Sequence, residues 1–380
     1  MMPDAARPVP SFRVALAQGE HWGLAAKACA ERLAPMDANI GFLYVTEGFN
    51  QNLSSILTFL RETTRIPHWV GAVAPAILAG GTVVAEKGAL AVMVGSLAED
   101  SFRLFWGVDA GEITTPLSSW LAARQPVLAL AHGDPRSPGL AGLVAALATQ
   151  EIFTVGGLVS SSGPRPLLSD MVAAGGLAGL LLGSEVEAVS GLTQGCAPIG
   201  PPHRVTAAGE GVVMELDGRP ALDVLKEEAG QLIARDLRRA AGYIHLGLPV
   251  AGADDGGYVV RMLLGIDPRR GWLAMGDTVD EGGTVRFVRR DPQTARDDLE
   301  RMLASVVRRL AGRPARCAFY HSCVGRGRHM FGHDEAELEM VRAALGDDMP
   351  LIGFFGHGEF AGERLYAYTG VLTVLVGETP

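Results

Sequence analysis

The feature that most constrains this chain is a pattern of apolar strands and helices that recurs three times. Each copy reads strand, helix, strand, strand, with a turn of small residues close to the end of the second strand. The copies begin at Ile40, Pro126 and Ala315 and match in pattern rather than in residue identity. Strands, helices and hairpins mixed in this way predict an α/β chain of the α+β type, with mixed β-sheets covered by helices.

The length of the chain predicts two domains. At 380 residues it exceeds what one hydrophobic core usually serves. We place the boundary at the small residues around Ala241, which gives domains over 12–240 and 241–380. Residues 1–11 carry Pro and Asp where a signal peptide needs a basic start and an apolar centre, so we expect a disordered tail there.

Composition and charge narrow the class of protein. Apolar residues at 48% and charged residues at 20% are typical of a soluble globular protein. A net charge of −9 argues against nucleic acid and anionic membrane as partners. The apolar stretch from Met171 is shorter than the roughly 20 residues that a membrane-spanning helix needs. Four scattered cysteines make no disulfide framework, which predicts a reducing, cytoplasmic location.

Two helices and two groups of strands are the clearest local predictions. The segment 291–314 has Pro292 at a suitable first helical position and an apolar stripe of period 3.6. A second helix begins at Pro220, and its apolar face carries Leu222, Leu225, Leu232 and Ile233. Residues 205–218 predict a hairpin, and the alternation from Tyr258 onward predicts an antiparallel meander.

A rigid loop over residues 190–206 is the first candidate site. We expect Gly195 and Gly200 to permit positive φ, while the prolines of the loop fix φ and hold Cys196 at a cavity wall. A nucleophilic interpretation pairs Cys196 with His203, because a thiolate needs a nearby base or cation. The alternative is a small buried cysteine in a structural turn, which is the commoner arrangement.

A glycine-rich turn around Arg326 is the second candidate site. Gly325 and Gly327 flank the arginine directly after an apolar strand. Backbone amides and a guanidinium in such a turn can hold a carboxylate or a phosphate. A plain structural turn with an exposed Arg326 explains the same residues equally well.

A metal site in the same region is a weaker interpretation. Imidazole and thiolate are the ligands that zinc prefers. Structural zinc sites usually supply them as close pairs, however, and this spacing does not follow that pattern, so we expect no metal. The residues concerned are His321, Cys323, His329 and His333.

The third candidate site is Gly358-Glu359, at the end of a strongly apolar strand. A carboxylate rarely lies beside such a run without a partner. Glu359 either accepts hydrogen bonds from a ligand amine or pairs with Arg326 or Arg364. The glycine-rich segments elsewhere lack the lysine and hydroxyl spacing of a phosphate-binding loop, so we expect no nucleotide and no other cofactor.

Several segments together resemble the FIST proteins. They are TVGGLVSS, the loop TQGCAPIGPPHRVT with ELDGRPALDVL after it, the turn SCVGRG, and IGFFGHGEF to YTGVLTVL. The resemblance implies an N-terminal FIST domain over about the first 235 residues and a C-terminal FIST domain over the rest. It also implies a sensory role in bacterial signal transduction, with small molecules such as amino acids as ligands.

The residues that match the family pattern lie in the three candidate sites. Those that we carry over, with His203 added from the same loop, are expected to bind the ligand: Gly195, Cys196, His203, Thr206, Ser322, Cys323, Gly325, Arg326, Gly358 and Glu359. The first repeat departs from the pattern, because its second strand ends in Ala74, Pro75 and Ala76 without a polar group. No catalytic set of the family maps onto this chain.

Our first hypothesis is a cytoplasmic sensor, not an enzyme, that binds an amino acid or another small carboxylate between its domains. Arg326 would hold the anion and Glu359 the amine. Such a protein would signal through a downstream protein in trans or through an oligomer. The alternative is a cysteine-dependent enzyme that uses Cys196 or Cys323 with His203 or His321. A second alternative is a protein-interaction adaptor.

Overall fold

A computed structural model describes residues 12–35, 37–85, 87–230, 243–250, 258–276 and 278–377. These residues form two compact units that are not consecutive along the chain. Unit 1 contains the described residues up to Thr193, Leu299–Leu365, and those from Thr369 onward; unit 2 contains Gln194–Asp298 and Tyr366–Tyr368. The predicted tail at 1–11, the predicted boundary at 240/241, and Leu232 and Ile233 lie outside the described residues.

The first half of the chain alternates strands with short helices. Its elements are β1 (Phe12–Gln18), α1 (Trp22–Leu33), β2 (Ile40–Thr46), a 3₁₀ helix (Glu47–Asn52), α2 (Leu53–Thr64), β3 (His68–Ala74), β4 (Ala76–Ala79), β5 (Thr82–Ala85), β6 (Ala89–Gly95), β7 (Phe102–Gly107), α3 (Ala110–Thr114), α4 (Ser118–Arg124), β8 (Leu128–Gly133), α5 (Leu140–Ala148), β9 (Phe153–Leu158), β10 (Pro166–Ser169), β11 (Met171–Ala174), β12 (Leu177–Leu182) and β13 (Ala188–Gln194).

The second half begins with a run of strands and then returns to the alternating pattern. Its elements are β14 (Cys196–Pro198), β15 (His203–Gly209), β16 (Val212–Leu216), β17 (Arg219–Pro220), α6 (Ala221–Ala229), β18 (Ile244–Pro249), β19 (Tyr258–Asp267), β20 (Trp272–Met275), β21 (Thr284–Arg290), α7 (Pro292–Leu310), β22 (Ala315–Cys323), α8 (Gly327–Phe331), α9 (Ala336–Leu345), β23 (Leu351–Gly356), β24 (Glu359–Ala361), β25 (Arg364–Tyr366) and β26 (Thr369–Val376).

Unit 1 repeats one arrangement of strands in three sheets. The first and second strands of each predicted repeat pair in parallel, as β2 with β3, β8 with β9 and β22 with β23. The last strand of each repeat pairs antiparallel with the first, as β6 with β2, β12 with β8 and β26 with β22. This topology confirms the predicted fold class of mixed sheets covered by helices.

Each sheet is completed by a hairpin from a different repeat. The hairpin β4–β5 of the first repeat extends the sheet of the third, β10–β11 of the second extends the first, and β24–β25 of the third extends the second. The strand that precedes each repeat, β1, β7 or β13, forms the opposite edge. The sequence pattern missed these edge strands because they are separated from their repeats, in the third case by unit 2.

One glycine in each repeat allows the two parallel strands to lie close together. These glycines are Gly71, Gly156 and Gly353 on β3, β9 and β23. A Cβ atom there would lie 1.8, 1.9 and 1.7 Å from the carbonyl oxygens of Leu43, Ala131 and Tyr320. Any other residue would push the second strand away from the first, so the tight parallel pairing requires glycine at these positions.

Apolar side chains of the three sheets share one core. Phe42, Leu130 and Phe319, at equivalent positions on β2, β8 and β22, all belong to this cluster. The rings of Phe42 and Phe319 meet edge to face with centroids 4.7 Å apart. A second cluster packs α1 and α2 against the other face of the first sheet. The three repeats therefore bury their inner faces together rather than one by one.

Unit 2 is a closed antiparallel barrel. Its strand order is β21-β15-β16-β20-β19-β18, and β18 pairs again with β21 to close it. The helix α6 buries Leu222 and Leu225 in the same cluster as Leu246 and Phe287. The predicted helices from 220 and 291 and the hairpin β15–β16 are confirmed. The predicted meander is wrong at its third strand, because β21 closes the barrel between β15 and β18 instead of pairing with β20.

Three polar side chains meet inside the core of unit 1. Tyr44, His132 and His321 each lie two residues after the equivalent core residues Phe42, Leu130 and Phe319, and all are buried. The hydroxyl of Tyr44 lies 2.9 Å from Nε2 of His132 and 3.3 Å from Nε2 of His321. The hydroxyl can donate to one ring and accept from the other, so both rings are held neutral. Burial lowers the pKa of His132 to about 3 and lowers the pKa of His321 well below its usual range.

We expect this cluster to make unit 1 sensitive to acid. In the unfolded chain His132 gains a proton near its ordinary pKa of 6.5, whereas the folded protein resists protonation down to about pH 3. The unfolded state therefore binds more protons below pH 6.5, and stability falls as the pH falls. In His132→Gln, which keeps a polar partner for Tyr44 but does not titrate, the urea unfolding midpoint should depend less on pH between 7 and 4. The exposed His333→Gln variant should keep the wild-type dependence, and a wild-type slope in His132→Gln would contradict the assignment.

Candidate functional site

A buried ion pair between Arg326 and Glu337 is the centre of the candidate site. Arg326 follows β22 in a turn, Glu337 lies in the first turn of α9, and their side chains are 0% and 1% exposed. Nε of Arg326 donates to Oε2 of Glu337 at 3.0 Å. Burial alone would lower the pKa of the guanidinium, but the charge of Glu337 outweighs it and raises the pKa, so Arg326 stays charged.

Two hydroxyls from β22 complete the surroundings of Glu337. Tyr320 donates a short hydrogen bond to Oε2, and Ser322 donates to the same carboxylate at 3.2 Å. The ring of Phe331 lies 5.0 Å below the guanidinium carbon of Arg326. Burying a charge is costly unless it is paired and hydrogen-bonded, and these contacts meet that condition for Glu337.

A second carboxyl group, Glu359, lies in the same buried region. It is the first residue of β24 and is 0% exposed. Thr369, at the start of β26, donates a short hydrogen bond to its Oε2. Burial raises the pKa of Glu359 well above its usual range, although the hydrogen bond from Thr369 and the charge of Arg326 oppose the rise. Burial therefore favours the protonated form of Glu359.

Part of this cluster is left without partners. Nη1 and Nη2 of Arg326 and Oε1 of Glu359 are buried, and none has a hydrogen-bond partner among the described residues. A buried polar atom without a partner costs on the order of 1 to 3 kcal/mol and is rare in folded proteins. The arrangement therefore has hydrogen-bonding capacity that the described part of the protein does not use.

The structure brings together the predicted site residues of unit 1. Ser322 and Arg326 share Glu337, and the charge of Arg326 acts on Glu359. Gly358, at φ 144°, occupies backbone space that favours glycine. Arg326 is fully buried, which contradicts the alternative of an exposed arginine in a plain turn. Cys323 is 5% exposed at the end of β22.

The predicted loop residues belong to unit 2, where they take part in the hydrogen bonding and packing of the barrel. Gly195 donates its N–H to the carbonyl of Tyr368 at 2.8 Å. Cys196 is 2% exposed on β14, and Thr206 accepts a hydrogen bond from the N–H of Gly218. Neither Gly195 nor Gly200 has positive φ, contrary to expectation. Gly200 is needed for space, because a Cβ there would lie 2.2 Å from the carboxylate of Glu228. A shared pocket of this loop with Arg326 stays a prediction.

His203 is clamped between two carboxylates. Its Nδ1 lies 2.6 Å from Asp217 Oδ2 and its Nε2 lies 2.7 Å from Glu228 Oε1. Both ring nitrogens are hydrogen-bonded to carboxylates, so neither is available to accept a proton from a neighbouring thiol. Cys196 and His203 pair with Arg290 and Val285 of β21, which are five positions and about 17 Å apart at the usual strand rise. The geometry does not form the Cys196–His203 dyad that the cysteine-enzyme alternative needs.

The described cysteines and histidines supply no metal site. All four cysteines are buried and none forms a disulfide, and burial raises the pKa of Cys29 to about 12. Among the described residues no three His, Cys, Asp or Glu side chains are grouped so that they could hold a metal ion. None of the helices described here combines the length and the apolar character needed to cross a bilayer.

Comparison with known sequences decides the family. The sequence model of the FIST N domain matches residues 39–219, and that of the FIST C domain matches residues 221–362. The chain belongs to the FIST family. The uncharacterized protein Mb0898c of Mycobacterium bovis is 30% identical over 380 residues, which cover 93% of this chain and 95% of the relative. The uncharacterized protein MT0656 of Mycobacterium tuberculosis is 31% identical over 374 residues with the same coverage.

Family membership agrees with the resemblance seen in the sequence. FIST domains are associated with small-ligand sensing in signal transduction. In this FIST chain the two matches meet at residues 219 and 221, at the start of α6. The compact units instead divide at Gln194 and Asp298, so family domains and packing units do not coincide.

The sequence missed three residues of the buried cluster of this FIST protein, namely Tyr320, Glu337 and Thr369. Glu337 left a signal that could have been used. It lies one position before Leu338 and four before Val341, which puts a carboxylate on the buried face of an amphipathic helix. Tyr320 and Thr369 lie in apolar strands. No sequence pattern distinguishes their hydroxyl groups from those of strand residues that have no role in a site.

Removing one partner of the ion pair should destabilise this FIST protein severely. Glu337→Leu leaves the guanidinium of Arg326 charged and unpaired in the core, which typically costs on the order of 3 to 5 kcal/mol. The double variant Arg326→Met/Glu337→Leu removes both charges and should recover much of that loss. Urea unfolding of the two variants and of the wild type measures the difference. A single variant as stable as the wild type would contradict the buried pair.

The two carboxylates beside His203 predict that the stability of unit 2 falls as the pH rises. This is opposite to the effect expected from His132 in unit 1. Burial lowers the pKa of His203, but the hydrogen bonds to Asp217 and Glu228 outweigh it and raise the pKa above its ordinary 6.5. The stabilisation is complete below pH 6.5 and is lost as the pH rises through the raised value. The wild type should therefore lose stability from pH 6 to 9 in a transition that His203→Gln lacks. Equal slopes in thermal melts of the two proteins would rule out the charged clamp.

Proposed function

We propose that this FIST protein is a sensor that binds a small carboxylate inside unit 1, at the terminal nitrogens of Arg326. The observation that carries the proposal is the pair of buried N–H groups, on Nη1 and Nη2, that the described residues leave without partners. Both belong to a guanidinium whose third nitrogen, Nε, is anchored by Glu337. The side chain is therefore held in place while its outer edge remains available to bind a ligand.

The chemistry of that outer edge favours a carboxylate. A guanidinium presents parallel N–H groups in a fixed fork that matches the two oxygens of a carboxylate. Because Glu337 and the hydroxyls of Tyr320 and Ser322 hold the other side, the fork loses little freedom on binding. In a buried site such hydrogen bonds are stronger than in water.

Glu359 selects the group next to the carboxylate. Burial raises the pKa of its carboxyl and so favours the protonated form, and its Oε1 has no partner in the described part of the chain. A neutral carboxyl can exchange a hydrogen bond with a hydroxyl without any change of charge. An amino group of an amino acid would instead bind as ammonium and displace the proton of Glu359. Amino acids and hydroxy acids both fit, but with different proton balances.

A sensor of this kind signals through other molecules. We propose a cytoplasmic location, because none of the four cysteines forms a disulfide. A ligand that binds one arrangement of the protein better than another shifts the population between them. The downstream protein in trans would respond to that shift.

The first experiment is a thermal shift screen with amino acids, α-hydroxy acids and simple aliphatic carboxylates at millimolar concentration. Compounds that raise the melting temperature are then measured by titration calorimetry. In Arg326→Lys the charge next to Glu337 is kept but the fork is lost, so affinity should fall at least tenfold. The control Arg328→Lys changes an exposed arginine two positions on and should leave affinity unchanged.

The calorimetric titrations also test the role of Glu359. Repeated in buffers of different ionisation enthalpy, they should show proton release on binding of an amino acid and none on binding of a hydroxy acid. Glu359→Gln mimics the protonated carboxyl and should bind hydroxy acids within about threefold of the wild type, at the usual scale of a preserved neutral hydrogen bond. No melting shift across the panel, or equal affinity in Arg326→Lys, would refute the proposed function.

A further inference from the structure

The linker that follows the second strand is longer in the second repeat than in the other repeats of unit 1. It spans residues 159–165 between β9 and β10, whereas one residue joins β3 to β4 and two join β23 to β24. The longer linker carries three consecutive serines, Ser160 to Ser162, and Arg165. Ligands often bind at the carboxyl ends of parallel strands, where these linkers begin.

Side chains from the ends of all three second strands meet beside this linker. Ser160 follows β9, and its Oγ lies 3.2 Å from Nδ1 and 3.1 Å from Nε2 of His357, which follows β23. Arg165 precedes β10, in which Leu167 pairs with Ala72, so it lies next to the carboxyl end of β3. Burial lowers the pKa of His357 and the charge of Arg165 lowers it further, so the guanidinium lies within electrostatic reach of the imidazole.

The first repeat holds the linker in place. Glu47 accepts hydrogen bonds from the N–H of Ser162 at 2.7 Å and from its hydroxyl at 2.8 Å. Nδ2 of Asn50 donates to the carbonyl of Pro164 at 2.7 Å and to Oγ of Ser161 at 3.3 Å. The 3₁₀ helix that carries Glu47 and Asn50 therefore fixes the serines before a ligand binds, and such preorganisation lowers the cost of binding.

The linker site consists of Ser160, Ser161, Arg165 and His357, and it has hydrogen-bond donors left over. Nε and Nη1 of Arg165 are buried and have no partner among the described residues. The hydroxyl oxygen of Ser161 already accepts two hydrogen bonds, so its hydrogen is left to donate. Ser160 and a neutral His357 have one donor hydrogen each, and the bond between them uses one. Whichever of the two donates, one donor hydrogen remains.

The carboxylates near the linker already have partners. Glu47 accepts from Ser162. Asp134 accepts from the N–H of Arg136 at 3.0 Å, and the two side chains approach to 3.7 Å. Neither acid is hydrogen-bonded to the linker site in the described part of the chain, so the two buried nitrogens of Arg165 have no anion as a partner there.

We propose that the linker site binds a tetrahedral oxyanion, which is inorganic phosphate or the phosphate group of a small monoester. An oxyanion accepts hydrogen bonds and supplies the negative charge that Arg165 has no partner for. The unused donors lie on two nitrogens of Arg165, on Ser161 and on the pair of Ser160 with His357. A carboxylate has two oxygens for these donors, whereas a phosphate group has three or four. His357 is exposed, so the site can be reached from solvent.

The ligand is tested by titration calorimetry of the full-length protein with inorganic phosphate, methyl phosphate and acetate at constant ionic strength. The phosphates should bind at least tenfold more tightly than acetate, because acetate leaves donors of the linker site unused. Arg165→Gln should weaken phosphate binding at least tenfold, the usual scale for hydrogen bonds to a charged group. Arg308→Gln, an equal change of charge at an exposed position of α7, should not.

A second measurement follows the pKa of His357 by NMR of its imidazole. Burial and the charge of Arg165 hold this pKa below its ordinary 6.5. A bound anion offsets that charge, so phosphate should raise the pKa. In Arg165→Gln the pKa should be higher without phosphate, and phosphate should no longer change it. Glu47, Asp134 and Arg136 are the same in both proteins and do not account for the difference.

Three results would overturn the linker site. They are no binding of either phosphate at millimolar concentration, an acetate affinity equal to that of phosphate, and equal phosphate affinities in Arg165→Gln and Arg308→Gln variants that melt like the wild type. If Arg165→Gln does not fold, Arg165→Lys takes its place. Its phosphate affinity should also fall, because an ammonium cannot reproduce the N–H groups of the guanidinium.

The linker site is tested separately from the carboxylate site at Arg326. Arg326→Lys should bind phosphate as tightly as the wild type does. A loss of phosphate binding in that variant would place the anion at Arg326 and overturn the linker site. If methyl phosphate binds more tightly than inorganic phosphate, the ligand is a phosphate ester, and the reverse order identifies the free ion.

Discussion

The exchange of hairpins among the three repeats is the constraint on which unit 1 depends. No repeat completes its own sheet, because each receives β4–β5, β10–β11 or β24–β25 from another. Backbone groups at those edges are satisfied only when all three repeats are folded, which makes the unit cooperative. The same exchange places Glu359, the first residue of β24, against the second repeat rather than its own sheet.

The polar groups of unit 1 follow from this threefold arrangement. Tyr44, His132 and His321 occupy equivalent positions, and the convergence of the three first strands brings them together. The Arg326–Glu337 pair belongs to the third repeat, where the first turn of α9 lies against the end of β22. Unit 1 therefore contains two polar clusters. The hydrogen-bonded cluster around Tyr44 takes one residue from each repeat, and the Arg326–Glu337 ion pair lies in the third repeat. Both contain buried atoms without a hydrogen-bond partner among the described residues, namely Nδ1 of His132 and of His321 in the first and Nη1 and Nη2 of Arg326 in the second.

Local patterns predicted much of the architecture and part of the site. Periodicity predicted the helix α7 and the three repeats that begin with β2, β8 and β22. Each of these elements has a regular spacing of apolar residues, because it buries one face. Arg326 and Glu359 were found because glycines and apolar runs flank them. Their burial, the raised pKa of Glu359 and the partner Glu337 were not predicted, since each depends on which elements pack around them. The closing of the barrel by β21 was missed for the same reason.

The sequence by itself determined the three repeats of strands and helices, the helices α6 and α7, and membership of the FIST family. These properties depend on residue order over short distances, where side-chain spacing and backbone freedom act directly. Only the tertiary structure decided that the hairpins change partners, that His203 is clamped rather than reactive, and that Arg326 is enclosed. Those outcomes depend on contacts between segments far apart in the chain, where burial and electrostatics depend on the whole arrangement of neighbours.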